Sequence, residues 1–299
     1  MTQHSRRASL PLILSLLSCW ACGAGGSEDT SKDTAGAADL AAATSGIFSA
    51  LSYNVYGLPS VITGGDTAAR MAQIGPLLNA FDVVGLQEDF IDGNHTVLAE
   101  GCTLTTRTRF AATLAGKGYG SGLATFASLP LVEHEGRHYS TCNGLVDHGS
   151  DCFASKGILF NRFKLAEGME LDFYTTHLDA GGSADDDTAR AVQVGEALTF
   201  IKERSAGRAV IFLGDFNLRP SDKPDKPQLV KIAADTGMET ACDSLKCAEP
   251  DHIDRIYFRS GDVVKLEAMS WQIEPQFIDD KGEPLSDHPA VSARFSWSR

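Results

Sequence analysis

Polar and apolar positions change their periodicity several times along this chain, and each change marks an element. "IFSALSYNVYGL" alternates through Leu51, Tyr53 and Val55 and predicts a strand that stops at Gly57-Leu58-Pro59. In "DTAARMAQIGPLLNAF" the apolar Met71, Ile74 and Leu78 recur at helical spacing behind a capping Asp66 or Thr67, with Pro76 calling for a kink or an early start. "DVVGLQE" follows as a short buried strand. "RFAATLAGKGYGSGLATFASLPL" reads as a helix, a glycine turn and a strand; Gly116, Gly118, Gly120 and Gly122 lack dinucleotide-binding spacing, and turn chemistry accounts for them. "KGILFNRFKL" and "ELDFYTTHLDAG" predict two strands joined in a hairpin at Glu167-Gly168. The clearest helix is "DDDTARAVQVGEALTFIKERSAG", capped by Asp187 or Thr188, with Val194, Leu198 and Ile201 on one face and Gly207 at the C-terminal cap. "RAVIFLGDFN", "HIDRIYF" and "AVSARF" are further strands. No repeat and no second linker interrupts residues 46–299, which therefore read as one α/β domain.

The first residues follow different rules. Arg6 and Arg7 precede the apolar run "LPLILSLLSCWAC", and a Gly/Ser/Asp/Ala-rich stretch follows it. A basic start, a short apolar segment and then small residues predict an export signal over 1–22, too short for a confident membrane span, and a flexible linker over 23–45. "LLSC" and "CWAC" each resemble the box at which bacterial lipoprotein signals are cleaved before a lipidated cysteine. Two readings therefore stand: an outer-membrane or cell-surface lipoprotein anchored at Cys19 or Cys22, or a soluble secreted protein. Export permits disulfides. Cys142 and Cys152 bracket one short loop and Cys242 and Cys247 another; Cys102 is left over, and the connectivity stays open. Among Cys102, Cys142, Cys152, Cys242 and Cys247 no CxxC or CxxH spacing occurs, which argues against a zinc site there.

Composition adds a bound on partners. At 43% hydrophobic and 22% charged, the 299 residues can bury a core, and a net charge of −13 offers no long basic track for nucleic acid. A metal-dependent nuclease, however, can be acidic and bind phosphate locally through a cation.

The polar groups at the strand ends carry the chemistry. Asn54 ends the first strand, Glu88 ends "VVGLQE", His177 ends "DFYTTH", and Asp215 and Asn217 end "VIFLGDFN". Asp254 lies in "HIDRIYF", and Asp287 and His288 precede the last strand. One such residue is ordinarily a turn former, but so many at successive strand ends put reactive groups on one rigid edge. Carboxylate and amide oxygens suit Mg²⁺, and the two histidines and remaining acids supply a base, an acid to orient it, and phosphate donors.

"SYNVYGL", "GLQEDF", "TTHLDAG", "FLGDFN", "IDRIYF" and "LSDHPAV" resemble, in order, the motifs of the endonuclease/exonuclease/phosphatase superfamily, and the resemblance spans the chain from residue 46. It implies the DNase I-like four-layer fold: a two-sheet α/β sandwich with outer helices. It also implies a metal-dependent phosphoric diester hydrolase using Mg²⁺ or another divalent cation such as Mn²⁺. Glu88 then corresponds to the metal ligand with Asn54 its neighbour, His288 to the general base and Asp254 to the acid that orients it. Asp215 and Asn217 correspond to the pair positioning water and phosphate, and His177 to a donor to the phosphoryl oxygens. Asp287 is either a second metal-side carboxylate or a loop-capping acid.

Within that superfamily "YNVYGLP", "QEDF" and the segment ending in Lys156-Gly157 are most similar to secreted bacterial neutral sphingomyelinases; Lys156 is either a phosphate contact or a solvated turn lysine. Those enzymes insert an aromatic hairpin into the bilayer near the last motif, whereas "MSWQIEPQFIDDKGEPL" offers only Trp271 and Phe277 among acids. Membrane association by a lipid anchor at Cys19 or Cys22 is one alternative, and a soluble substrate is the other. The leading expectation is thus a monomeric, exported phosphodiesterase acting on a phospholipid headgroup. A secreted nuclease acting on nucleic acid and a non-catalytic surface-binding protein are the competing classes.

Overall fold

The computed structural model describes residues 43–144, 151–248 and 252–299. The expected export signal and nearly all of the expected linker lie outside these residues. Two six-stranded sheets pack face to face. The first has the order β11-β12-β1-β2-β4-β3, and the second β5-β6-β7-β8-β10-β9. Their strands are β1 (Ser45–Asn54), β2 (Val83–Gln87), β3 (Thr106–Phe110), β4 (Leu123–Ala127), β5 (Leu131–His138) and β6 (Gly157–Ala166), then β7 (Met169–His177), β8 (Ala209–Asp215), β9 (Glu239–Thr240), β10 (Asp254–Arg259), β11 (Lys265–Ile273) and β12 (Val291–Ser298).

The layering follows from which faces are apolar. Between the sheets, Phe48, Val83 and Phe295 of the first meet Phe163, Phe173, Ile211, Leu213 and Phe258 of the second. Strands β2 and β8 are buried along their whole length, as central strands covered on both faces must be. Outside the first sheet, α2 (Thr67–Leu77) and α3 (Asp92–Gly101) bury Met71, Ile74 and Leu98 against Leu51, Val84 and Phe126. Outside the second, α4 (Ala184–Arg204) and α5 (Lys226–Thr236) bury Val194, Leu198, Ile201 and Ile232 against Phe160, Tyr174 and Phe212. Two four-residue helices complete the set, α1 (Ser60–Thr63) and α6 (Ala241–Ser244). The result is the expected four-layer α/β sandwich.

Local outcomes differ in places. Asp66 does cap α2, accepting from Ala69 N at 3.0 Å, and Pro76 sits in its last turn, where the chain passes into a 3-10 turn at Leu78–Ala80. The hairpin at Glu167-Gly168 forms, with Gly168 at φ +69°. The helix expected after Arg109 does not form. Thr106–Phe110 is instead an edge strand paired to β4, and residues 111–122 are a loop pinned to the second sheet's side by the Tyr119–Ala154 bridge. Helix α4 starts earlier than expected: its cap is Ser183, whose Oγ accepts from Asp186 N while the Asp186 carboxylate accepts from Ser183 N, a complete capping box. The helix ends at Arg204, so Gly207 lies beyond it in the turn to β8. Disulfides join Cys142 to Cys152 and Cys242 to Cys247, and Cys102 is a buried free thiol.

Topology decides where the chemistry lies. Strands β1 and β2 run parallel, as do β7 and β8, so Asn54, Glu88, His177 and Asp215 all emerge at one edge of the sandwich. β10 and β12 run antiparallel to their neighbours β8 and β1 and begin at that same edge, bringing Asp254 and the residues before Val291 to it.

Candidate active site

Register alone places three residues in a row: His177 pairs with Asp215 across β7–β8, and Asp215 pairs with Asp254 across β8–β10. Directly opposite residues on neighbouring strands share a face. Gly214 precedes Asp215 because there is no room for more: a Cβ there would lie 2.0 Å from Thr176 O, at φ +150°. Asn217 closes the turn in the left-handed region at φ +49°, a conformation asparagine tolerates. Its N–H donates to Asp215 Oδ1 at 3.0 Å and its Nδ2 to Leu178 O at 3.1 Å.

The two sheets are bridged at this edge by Asn54. Its Nδ2 donates to Glu88 Oε1 at 3.1 Å and to Asp215 Oδ2 at 3.2 Å, while its Oδ1 accepts from Tyr56 N at 3.0 Å. His288 Nδ1 lies 2.9 Å from Asp254 Oδ2, and its Nε2 lies 3.6 Å from Asp215 Oδ2. His177 Nε2 lies 3.4 Å from the same oxygen. Glu88, Asn54, Asp215, His288 and Asp254 thus form one continuous chain of contacts, with His177 joining it at Asp215. Asp287 differs from the rest: it is exposed, and its carboxylate accepts from the Ser286 hydroxyl at 3.3 Å.

Electrostatics follow from crowding buried acids together. Burial, reinforced by the Asp254 charge, pushes Asp215 up to about 7. Burial opposes charge on His288, but the hydrogen bond and charge of Asp254 and the charges of Asp215 and Asp287 outweigh it, lifting the imidazole to about 10. His177 moves the other way, held well below the usual histidine range by burial and by the Lys156 and His288 charges. Burial raises Glu88 as well.

Residues without an assigned role also contribute. Lys156 is 4% exposed, with Nζ donating to Leu178 O at 2.5 Å and lying 3.2 Å from His177 Nε2, so it is not a solvated turn lysine. Arg70 of α2 donates to the carbonyls of Val55, Tyr56 and Leu285, clamping the turn after Asn54 to the segment before His288. Nothing in the pattern around Arg70 distinguishes it from a surface arginine. Ser286 donates to Asn54 O at 2.6 Å and its oxygen accepts from His288 N at 3.2 Å, a positioning role.

A divalent cation fits this donor set. Glu88 Oε2 is buried with no hydrogen-bond partner, an uncompensated carboxylate oxygen that a hard cation would satisfy. Ligand atoms of Asp215, Asp254 and His288 also lie within 4.8 Å of one another.

The model of the Endonuclease/Exonuclease/phosphatase family matches residues 51–288, a span that contains every residue of this site. The chain belongs to that family. It is 32% identical over 269 residues to a sphingomyelinase of Mycobacterium tuberculosis, an alignment covering 83% of this chain and 52% of the relative. This chain therefore spans about half the length of that relative. Among solved structures, a Staphylococcus aureus beta toxin variant with bound magnesium ions aligns with TM-score 0.62 at 16% identity, over 85% of this chain and all (100%) of that one. The D. rerio TDP2 complexed with a single-strand DNA product aligns with TM-score 0.63 at 21% identity, over 83% of this chain and 98% of that one. These solved structures share the two-sheet sandwich fold.

Proposed function

We propose that the chain is an exported, divalent-cation-dependent phosphodiesterase of the sphingomyelinase/phospholipase C-like kind, cleaving a phospholipid headgroup by in-line attack of water. The observation that carries the reading is the unbroken contact chain from Glu88 through Asn54 and Asp215 to the His288–Asp254 pair. The likeness to a sphingomyelinase over most of this chain favours lipid.

Each side chain has a role its geometry supports. Asp254, bonded at Nδ1, fixes the His288 tautomer and leaves Nε2 to take a proton from water. Asp215 lies beside both imidazoles and orients the attacking water, and Asn217 fixes Asp215 through its backbone N–H. His177, kept neutral, and the Lys156 ammonium donate to the phosphoryl oxygens as charge develops. Glu88 would hold Mg²⁺ or Mn²⁺, with Asn54 setting its carboxylate and Asp287 available from the exposed rim. A bound cation would supply Lewis-acid polarisation of the phosphate and offset the negative charge that keeps His288 protonated.

The test is the full chain assayed with Mg²⁺ against sphingomyelin vesicles, plasmid DNA and a soluble aryl phosphodiester. Phosphocholine release that stops on chelation is expected. Plasmid nicking without phosphocholine release would overturn the lipid reading in favour of a nuclease, the second reading that the DNA-bound D. rerio TDP2 neighbour favours. Lipidation at Cys19 or Cys22 predicts partition of the expressed protein into detergent and its loss on substitution of the modified cysteine.

A further inference from the structure

Glu88 is held in an unfavourable backbone conformation. Its φ is +60°, in the left-handed region, a strained conformation for a non-glycine residue that persists only where the surroundings enforce it. The residue that follows, Asp89, is 0% exposed and faces away from the catalytic edge, toward α3 and β3. Its Oδ2 contacts His95 Nδ1 and lies 3.5 Å from Arg109 Nε. The same guanidinium donates from Nη2 to the Asp89 carbonyl at 2.9 Å and from Nη1 to Asp92 at 2.5 Å. Asp89 N donates to Gly122 O at 2.9 Å. Gly57 lets the turn after β1 press on the other side, since a Cβ there would lie 2.2 Å from Glu88 O.

A buried carboxylate clamped this way is a weak source of stability, because desolvation offsets most of the ion-pair attraction. What it fixes is geometry. Both the side chain and the carbonyl of Asp89 are tied to α3 and β3, so the peptide carrying Glu88 cannot relax toward ordinary extended backbone without breaking those contacts. We infer that Asp89, through the His95–Asp89–Arg109 cluster, is a positioning residue that holds the Glu88 carboxylate in the orientation a divalent cation requires. Asp89 touches neither substrate nor reacting atoms. The inference rests on reading Glu88 as the cation ligand.

The experiment is Mn²⁺ binding to the full chain, followed by electron paramagnetic resonance of free Mn²⁺ and by the Mn²⁺-induced rise in melting temperature. Removing an outer-layer partner of a metal ligand typically weakens metal binding about 10–100-fold. Asp89→Asn is expected to raise the Mn²⁺ dissociation constant about tenfold, at the low end of that range, and to shrink the thermal shift. Turnover is expected to recover toward wild type at saturating metal. A folded Asp89→Asn that binds Mn²⁺ with wild-type affinity would overturn the inference. Should Asp89→Asn fail to fold, His95→Ala decides in the same way, since His95 lies at the rim of the cluster with its side chain 21% exposed. Glu88→Gln separates the two premises. If it binds Mn²⁺ normally, the cation reading of Glu88 fails; if it loses binding while both Asp89→Asn and His95→Ala keep it, only the positioning role falls.

Discussion

An imidazole bonded at Nδ1 to a buried carboxylate has one tautomer and one direction left for its lone pair, and His288 is held so by Asp254 at 2.9 Å. Removing the base predicts a loss of about 10²–10⁴-fold in turnover for His288→Ala. Glu88→Ala is expected to lose activity by orders of magnitude as well. In both variants the circular dichroism spectrum should stay native, because neither side chain belongs to the apolar clusters; near-normal turnover in either would remove its assigned role. The charge balance adds a separate expectation for stability. A histidine lifted above its unfolded value of about 6.5 stabilises the fold fully below that pH and loses the contribution as pH rises through the folded value of about 10. Melts in chelator should therefore show wild type losing more stability than His288→Ala between pH 6.5 and 10, values set by those two limits. Parallel curves would show that the charged imidazole is not favoured by its neighbours.

At the scale of elements, what was legible in the sequence is where an apolar strand stops on a polar group. "VVGLQE", "DFYTTH" and "VIFLGDFN" each exposed Glu88, His177 and Asp215 in that way, since buried central strands are continuous apolar runs and their ends are unmistakable. The loop after Arg109 was not legible: Ala111, Ala112, Leu114 and Ala115 favour helix locally, yet β3 continues the first sheet to its edge and the following loop is held by hydrogen bonds from Ser121 and Ser155. Arg70 and the Asp89 cluster were hidden for another reason, because their partners are backbone carbonyls and side chains on other elements. The α4 start was displaced because three acids follow Ser183 and each resembles a cap, whereas only Ser183 has the extended backbone a cap needs. Ser183→Ala removes the capping box and is expected to lower stability by about 1 kcal/mol in denaturant melts. It also removes an acceptor for Asn143 Nδ2, which donates to Ser183 Oγ at 3.3 Å and to Asp186 at 2.6 Å and so ties the helix to the disulfide-bearing segment that leads to Lys156. A midpoint unchanged by Ser183→Ala would show that tertiary packing alone sets this terminus.

Across the whole molecule, a net charge of −13 bears on what surface the proposed catalytic edge can approach. The connection before His288 adds to this, with Asp280, Glu283 and Asp287 exposed around a single Lys281. A zwitterionic headgroup carries no net charge for that field to repel, whereas anionic lipid and nucleic acid do. The repulsion reaches farther at low ionic strength, where the screening length grows from about 10 Å at 0.1 M to about 30 Å at 0.01 M. Turnover on zwitterionic sphingomyelin vesicles, with free Mg²⁺ held constant, should therefore change little between those salt concentrations. Vesicles doped with an anionic lipid should be cut more slowly at low salt and recover as salt is added, because encounter is slowed by long-range charge rather than by the chemistry at His288. Faster cleavage of anionic vesicles at low salt would point to a local cationic surface that overrides the net charge.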